Sequence, residues 1–294
     1  MNEKLFELCK VLDISYSKIS FFPNYCLIYT YDNIYYFIEK DEDILSFLRK
    51  IDFIYVLSPI HSISFYGLFP YYSDLYSSLE KGKKMMEAIS FLHQKTLQRV
   101  ELTENEKKEI YQDISSRIEK EINYYLDFQD RMEEIDSFPR LDYYYLLNNV
   151  SLLYQILYFA KEKLEVWFRG DPIILKSFCI NNVSFSNFRF GEKSFFIDCK
   201  GSTVQIIVYN IENFYRENYL EGSMLEFFSI YEKNNLLSFF DWNLFFSLIC
   251  IPRRIVFSND VYQNTVCIQK ALKYIDNTFQ FVLEKDKEYQ KTNE

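Results

Sequence analysis

The polar side chains between residues 174 and 201 are of the types that phosphate and metal chemistry uses. A β-prone run from Ile174 enters a loop that contains Asn182 and Asn187, and a short hairpin turning at residues 191–192 then delivers Asp198 to the end of its second strand. In phosphoryl transfer, one loop positions the phosphoryl acceptor and a metal ligand, and a following strand presents a second, acidic metal ligand. The segment therefore predicts a site of that kind, with Asp198 as the acidic metal ligand.

An amide stands where such a site needs a proton acceptor. The loop has amides, Asn182 among them, where a catalytic carboxylate would be expected, and an amide has no basic lone pair near neutral pH. Loss of a general base typically costs about 10²–10⁴-fold in rate. Positioning and charge neutralisation account for most of the rate enhancement in phosphoryl transfer. An amide at position 182 would therefore slow the reaction strongly without abolishing it.

Composition and charge exclude several classes of function. The 294-residue chain has a formal net charge of −9 and no basic stripe, which argues against a nucleic-acid partner. Its six cysteines are scattered without a C-x-x-C pair, and two histidines cannot supply a Cys/His zinc site. The first residues do not resemble a signal peptide, and no apolar run approaches membrane-spanning length. We expect a cytoplasmic protein with no membrane partner.

The elements that must position these residues fall into two parts. Residues 1–72 are rich in strand signals and predict a small α/β lobe with one helix packed on a sheet. The expected elements are strands Tyr25–Tyr31 and Ile34–Ile38 joined by a turn, a helix Ile44–Arg49, and a second strand pair, Phe53–Leu57 with Ser62–Leu68, turning at Ser58-Pro59.

Residues 73–284 change to a helical period and predict a larger, mainly helical lobe that contains the hairpin site 174–201. The strongest helix is Glu104–Ile135, opened by a capping box between Thr103 and Glu106. Residues 285–294 are charged and are expected to fray. One further helix is expected to end near Gln94. The other expected helices span Asp142–Phe168, Glu212–Glu217, Ser223–Lys233, Trp242–Cys250 and Tyr262–Leu283.

Four segments of the chain resemble the aminoglycoside phosphotransferase and choline kinase superfamily, and within it the spore-coat-associated kinase-like proteins. AISFLHQKT (88–96) is similar to a helix that carries a Leu-His pair, and CINNVSFSNF (179–188) stands where the family has H-G-D-x-x-x-x-N. FFIDCKG (195–201) stands at the kinase DFG position, and IVYNIENFYR (207–216) at a structural Asp segment. The resemblance implies an α+β, protein kinase-like two-lobe fold, with ATP and Mg²⁺ as cofactors.

Carried over position by position, the resemblance is partial. It implies that Asn187 and Asp198 match the metal ligands, whereas Asn182 replaces the catalytic Asp and Asn210 the structural Asp. The small-lobe lysine that contacts phosphates is Ile38 in this alignment, and Lys40 is the nearby substitute for binding the nucleotide. The chain has 6 Gly and none before Gly67, so no glycine-rich loop is available to lay backbone N–H groups on phosphates.

Two hypotheses follow. The favoured one is a catalytically impaired kinase-fold protein, a pseudokinase, that binds a protein partner in an assembly such as a spore coat. The alternative is an atypical ATP-dependent phosphotransferase that acts on a small hydroxyl compound. It would use Asn187 and Asp198 for Mg²⁺ and Lys40 for the phosphates.

Overall fold

The computed structural model describes residues 2–22, 24–74, 77–133, 140–171, 173–234 and 237–292. The helices are α1 Asn2–Val11, α2 Glu42–Lys50, α3 Ser78–Thr96, α4 Glu104–Glu133, α5 Leu141–Leu147, α6 Val150–Arg169, α7 Ile207–Asn218, α8 Met224–Asn234, α9 Phe239–Ile249 and α10 Val261–Thr292. The strands are β1 Tyr16–Phe21, β2 Tyr25–Thr30, β3 Ile34–Glu39, β4 His61–Ile63, β5 Tyr66–Pro70, β6 Gln98–Glu101, β7 Ile173–Cys179, β8 Phe188–Arg189, β9 Phe195–Phe196 and β10 Thr203–Ile206. In these ranges no helix is both long and apolar enough to cross a membrane.

The described chain forms two compact units. One comprises Met1–Gln98 with Lys176–Asn235, and the other comprises Arg99–Leu175 with Leu236–Glu294. All of the predicted site residues belong to the first unit. The sequence-based division into lobes 1–72 and 73–284 stays a prediction.

A five-stranded antiparallel sheet, ordered β1-β2-β3-β5-β4, organises the first unit. Successive side chains of β3 point to opposite faces because a strand has a period of two. Phe37 packs with Leu5 and Leu8 of α1 on one face, whereas Tyr36 and Ile38 pack with residues of the β8–β9 hairpin on the other. The second face is therefore the one that looks toward the predicted site.

Two sequence-based boundaries in the first unit were wrong. The expected strand Phe53–Leu57 makes only an isolated bridge between Val56 and Phe196, and β4 pairs with β5 across a turn at residues 64–65. Ser64 in that turn has a φ of 52°, a conformation that the sequence did not signal. Strands β1 and β10 were not anticipated.

The second unit is mainly helical, and the isoleucine stripe of α4 has the predicted role. Ile114, Ile118 and Ile122 are buried, and the capping box is present: Thr103 N–H donates to Glu106 Oε2 at 2.8 Å, and Glu106 N–H donates to Thr103 Oγ1 at 3.3 Å. The expected end of this helix at Ile135 lies outside the described residues.

One prediction for the second unit needs correction. The expected single helix Asp142–Phe168 is two helices, α5 and α6, separated at Asn148 and Asn149, where the Asn149 side chain donates to Tyr145 O at 2.8 Å instead of continuing the helix. Helix α10 extends to Thr292, and Asp286 pairs with Lys163 at 2.8 Å. The expectation that residues 285–294 fray stays a prediction, and residues 293–294 lie outside the described part of the chain.

Candidate functional site

The predicted loop and hairpin are present, and they place Asp198 directly after β9. Strand β7 ends at Cys179, a single 3-10 turn covers Phe185–Asn187, and β8 pairs with β9 through Phe188 opposite Phe196. Ile197 N–H then donates to Asn187 O at 2.8 Å, which extends the pairing to the residue before Asp198. The hairpin strands are shorter than the predicted Ser194–Ile197, but they deliver the same side chain.

Asn187 joins the loop to the hairpin. Its Nδ2 donates to Asn182 O at 2.7 Å and to Asp198 O at 2.8 Å, while its Oδ1 accepts from Asp198 N–H at 2.8 Å. The side chain is buried. Both amide hydrogens are therefore used on backbone carbonyls, and one lone pair of Oδ1 is left for a metal ion.

Asn182 closes a turn in its own loop. Its Oδ1 accepts from Ser184 N–H at 3.1 Å and from Ser184 Oγ–H at 2.7 Å. This is the hydrogen bonding with which asparagine commonly shapes tight turns. An amide in this arrangement accepts hydrogen bonds but takes no proton.

Asparagines of α7 hold the backbone of the loop. Asn210 Nδ2 donates to Ile180 O at 2.8 Å. Asn218 Nδ2 donates to Val183 O at 2.8 Å, and its Oδ1 accepts from Phe185 N–H at 2.9 Å. Both asparagines are buried, so these loop groups have a protein partner in place of water. Asn210, which the sequence resemblance aligns with a structural Asp, contacts the polar loop.

His93 lies fully buried beneath this loop. Asn210 Oδ1 can only accept, so His93 Nε2–H donates to it at 3.1 Å and His93 Nδ1 accepts from Tyr231 OH at 2.8 Å. Burial lowers the pKa of His93 to about 4. The imidazole is therefore neutral at pH 7 and serves as a packed hydrogen-bonding group.

Asp198 is half-buried with one carboxylate oxygen engaged. Its Oδ1 accepts from Lys200 N–H at 2.8 Å, and Lys200 Nζ pairs with Glu39 at 2.8 Å. Burial raises the pKa of the Asp198 carboxyl, the Lys200 N–H and its ammonium oppose the shift, and Glu39 adds to it. A cation beside this carboxylate would relieve part of its desolvation.

Lys40 and Asp198 line one cavity, but Asn187, the other predicted metal ligand, is not among the residues that line it. The cavity also contains residues of α2 and of β9, but its volume is only about 20 Å³. Lys40 Nζ pairs with Glu42 of α2, and only 5 % of the Lys40 side chain is exposed. The structure thus brings Lys40, Asp198 and, through its hydrogen bonds to Asp198, Asn187 to one region of the first unit.

Aromatic side chains fill the space between the sheet and the hairpin. Tyr36, two residues before Ile38 on the same face of β3, is fully buried, with its ring centroid 5.5 Å from that of Tyr25 and 6.3 Å from that of Phe195. Burial raises the pKa of the Tyr36 hydroxyl to about 12. Ile38 is also buried, so the position aligned with the phosphate-contacting lysine is part of an apolar core.

Arg189 fixes this aromatic cluster to the hairpin. Its Nε donates to Tyr36 OH at 3.0 Å and its Nη2 to Tyr25 OH at 2.9 Å, while Nη1 lies 3.6 Å from Asp74 Oδ2. Asp74 Oδ1 also accepts from Phe190 N–H at 3.0 Å. We name Tyr25, Tyr36, Arg189 and Asp74 the Tyr36–Arg189 cluster.

Sequence reasoning missed this cluster, although one signal was available. The period of two along β3 places Tyr36 and Ile38 on one face, so the alignment that gave Ile38 also placed a large ring beside it. Arg189 had no comparable signal, because its partners lie 153 and 164 positions away along the chain.

The residues present offer an incomplete set of metal ligands and little room for a nucleotide. Asp198 and Asn187 offer two oxygen ligands, which is a sparse set for Mg²⁺ unless phosphates and water supply the rest. Within the described ranges, no group of three or more His, Cys, Asp and Glu side chains could hold a metal ion. A cavity of about 20 Å³ holds about one water molecule, whereas small-molecule sites usually measure about 300–1,000 Å³.

Comparison with solved structures identifies the fold. A spectinomycin phosphotransferase in its AMP-bound complex matches with a TM-score of 0.60 and 12% identity over 94% of this chain and 98% of the other. The same kind of enzyme in complex with ADP and spectinomycin matches with a TM-score of 0.51 and 11% identity over 95% and 93%. A choline kinase from Streptococcus pneumoniae matches with a TM-score of 0.46 and 11% identity over 97% and 98%.

At the level of sequence, no family model and no curated protein matches the chain. The two spectinomycin phosphotransferase structures are far too divergent in sequence to transfer an activity, but they cover nearly the whole chain. The chain therefore has the α+β, protein kinase-like two-lobe fold that the sequence motifs predicted.

Proposed function

We propose that this chain is a kinase-fold binding protein with impaired phosphoryl transfer. The observation that carries the proposal is the cavity beside Lys40 and Asp198, which has room for about one water molecule. Fully buried Tyr36 and buried Ile38 occupy the sheet face that would have to admit a nucleotide. Opening that face would expose buried apolar side chains to water, which costs free energy. The binding free energy of a nucleotide would have to compensate for that cost.

The chemistry of the loop supports the same proposal. Asn182 stands at the position of the catalytic base and uses its Oδ1 within the turn. Ile38 stands at the position that the resemblance aligns with the phosphate-contacting lysine. The site therefore lacks both a base for the proton of the substrate hydroxyl and this lysine for the phosphates. Lys40 is nearby, but its ammonium is paired with Glu42.

The test is a thermal-shift titration with Mg·ATP on the wild type and on Asp198→Asn, which keeps an acceptor for Lys200 N–H. A ligand that binds only the native state raises the melting temperature, and the stabilisation grows with the logarithm of the ligand concentration divided by its Kd. We expect no shift at millimolar Mg·ATP for either protein. A shift in the wild type that Asp198→Asn removes would overturn the proposal.

The alternative function is an atypical ATP-dependent phosphotransferase acting on a small hydroxyl compound. It is supported by the shared cavity of Lys40 and Asp198 and by the fold, since the similar spectinomycin phosphotransferase was solved with AMP and with ADP and spectinomycin. In this alternative Asn187 and Asp198 hold Mg²⁺ and Lys40 contacts the phosphates. Mg-dependent phosphorylation of such a compound, lost in Asp198→Ala, would establish it.

The partner follows from the sequence resemblance alone. A protein partner in an assembly, a spore coat in particular, and a cytoplasmic or spore-associated location extend the proposal. Affinity capture of the tagged chain from its own cells, compared with a Tyr36→Ala variant that opens the aromatic face, would test whether a protein recognises the closed form.

A further inference from the structure

Helix α9 is buried from Asp241 to its end, yet two of its side chains carry polar atoms that make no hydrogen bond. Asn243 is 2 % exposed and Ser247 is 0 % exposed. Over the described residues, Asn243 Oδ1 and Ser247 Oγ are the buried side-chain atoms without a hydrogen-bond partner. The large majority of buried polar side-chain atoms in folded proteins bond to protein or to ordered water. These two atoms therefore call for a partner.

The two atoms are neighbours on the helix. Asn243 and Ser247 are four residues apart, and on a helix such positions lie on one face with Cβ atoms about 5–6 Å apart. Two unrelated packing faults would have no reason to fall on successive turns of one helix. One small molecule between the two side chains would instead give both atoms a partner at once.

Neither atom takes a bond that a helix itself offers. A buried serine or threonine can donate to the carbonyl four residues earlier, as Thr278 of α10 does to Tyr274 O at 2.7 Å. Ser247 Oγ makes no such bond. Asn243 Nδ2 donates to Phe239 O at 2.8 Å, so the amide nitrogen is identified by its acceptor, and the oxygen is the atom left over.

Helix α6, which packs against α9, shows why no protein group fills this role. Ser247 stands seven residues after Phe240, close to two full turns, so both lie on one face of α9. The Phe240 ring lies against Gly170 at the end of α6, where a Cβ on Gly170 would come within 2.2 Å of the ring. The face with the polar pair is therefore turned toward α6, whose buried residues are apolar or aromatic, with the Trp167 indole as their one polar group.

From this arrangement we propose that one internal water molecule binds between Asn243 and Ser247. The water donates a hydrogen to Asn243 Oδ1, which can only accept, and it accepts a hydrogen from Ser247 Oγ–H. Buried waters typically make about two to four hydrogen bonds to groups that otherwise have no partner, and the pair supplies two of them. The site lies in the second unit, whereas Lys40 and Asp198 belong to the first, so the inference stands apart from the proposed function.

The chemistry of the pair disfavours other occupants. Mg²⁺ and Ca²⁺ take about six or more oxygen ligands, carboxylates among them, whereas the pair offers two neutral oxygens. An organic compound would have to displace packed side chains, since Ser247 has no exposed surface and its neighbours Phe246 and Leu248 are each 1 % exposed. Water is small and can both donate and accept, which is what one carbonyl oxygen and one hydroxyl require.

A crystal structure of the full chain tests the proposal directly. We expect an ordered water within about 2.5–3.0 Å of both Asn243 Oδ1 and Ser247 Oγ. An electron-density map that shows other internal waters but none between these two atoms would overturn the proposal. So would a direct hydrogen bond of either atom to another group of the protein.

Urea denaturation of Ser247→Ala tests the same site in solution. With a bound water, the variant leaves both the water and Asn243 Oδ1 short of a partner, so the midpoint of unfolding should fall. Without one, the substitution removes a buried polar group that has no partner, so the midpoint should stay level or rise. A midpoint equal to or above that of the wild type would contradict the bound water.

A second substitution asks whether the two atoms share one ligand. Asn243→Leu removes the other partner, and the double variant Asn243→Leu with Ser247→Ala should be no less stable than the less stable single variant, because no polar group is then left unpaired. The matched control combines Asn243→Leu with Ser177→Ala. Ser177 is a buried serine of the first unit that contacts Thr96 Oγ1 at 2.6 Å, so these two effects should add. Additive effects of Asn243→Leu and Ser247→Ala would show that the atoms have no common partner.

Discussion

The loop over residues 180–187 and the sheet face around Tyr36 were both expected to serve one reaction, yet they are built in different ways. In the loop, asparagines of α7 satisfy backbone groups one by one. On the sheet face, rings occupy the volume and Arg189 ties them together. The loop is held by hydrogen bonds to its backbone, whereas the sheet face is held by the packing of rings.

The difference has a physical cause. Buried backbone N–H and C=O groups must find partners whether or not a reaction takes place, so a polar loop needs its supporting asparagines for folding alone. An open, apolar ligand cleft has no such requirement. Filling it with side chains removes apolar area from water and stabilises the fold. The two regions are therefore stabilised by different kinds of interaction.

The largest effect on stability is expected from removing the Tyr36 ring from the sheet face. Tyr36→Ala should lower the free energy of unfolding by about 3–5 kcal/mol, because a fully buried ring leaves a cavity and the Arg189 donor loses its partner. Urea denaturation measures this change. Tyr31→Ala, at a ring that is 97% exposed, is the control and should change stability by less than about 0.5 kcal/mol. Equal effects in the two variants would show that Tyr36 is not packed as described.

Removing one loop support should cost somewhat less. Asn218→Ala leaves Val183 C=O and Phe185 N–H without their partner, and we expect a loss of about 2–4 kcal/mol in urea denaturation. Asn213→Ala is the matched control on the same helix, since its bond to Asn181 O is exposed to solvent. If Asn213→Ala proved less stable than Asn218→Ala, the buried hydrogen bonds of Asn218 would not be the main support of the loop.

Lowering the pH should weaken the support beneath the loop. The pKa of His93 in the folded protein, about 4, lies below its ordinary value of 6.5. Between these pH values the unfolded chain therefore binds a proton that the native chain does not bind. This contribution is complete above pH 6.5 and is lost as the pH falls toward 4, by about 3 kcal/mol at most. The raised pKa of Asp198 acts in the opposite direction.

Urea denaturation between pH 7 and pH 4 measures the His93 effect. The variant His93→Gln removes the titrating group and keeps an amide that can hydrogen-bond, so its stability should depend less on pH in this window. A wild-type stability that stays level from pH 6.5 to pH 4.5 would contradict a buried neutral imidazole.

The smallest effect is expected from restoring the carboxylate alone. In Asn182→Asp the new side chain can still accept from Ser184 N–H and Oγ–H, so stability should change by less than about 1 kcal/mol. We expect no Mg·ATP-dependent phosphoryl transfer, because the sheet face remains filled. A coupled assay with small hydroxyl compounds checks this, and appreciable turnover would mean that the face opens in solution.

Local patterns in the sequence were sufficient for the elements of the site. The run from Ile174 predicted β7, the Gly191–Glu192 turn predicted the hairpin, and Asp198 stands where the motif placed it. The capping box at Thr103 was likewise visible, since its partners are three residues apart. These signals succeed because turns, caps and periodic strands are decided by neighbouring residues.

The pairing of β4 with β5 shows where local patterns end. The run Phe53–Leu57 is as β-prone as its neighbours, but it makes a single bridge to Phe196, far along the chain. Strand pairing depends on which surfaces are left to cover after the rest of the sheet has formed. That choice is tertiary, and the sequence pattern alone gave the wrong partner.

The sequence by itself determined the loop and hairpin over residues 174–201, the amide at position 182 and the isoleucine at position 38. Only the tertiary structure decided that Tyr36 and Arg189 meet, that Lys40 turns to Glu42, and that the cavity beside Asp198 is small. The reason is that volume is a property of side chains from distant segments packed at native density. A motif records the chemistry of a site, but the packing around it sets how much room that chemistry has.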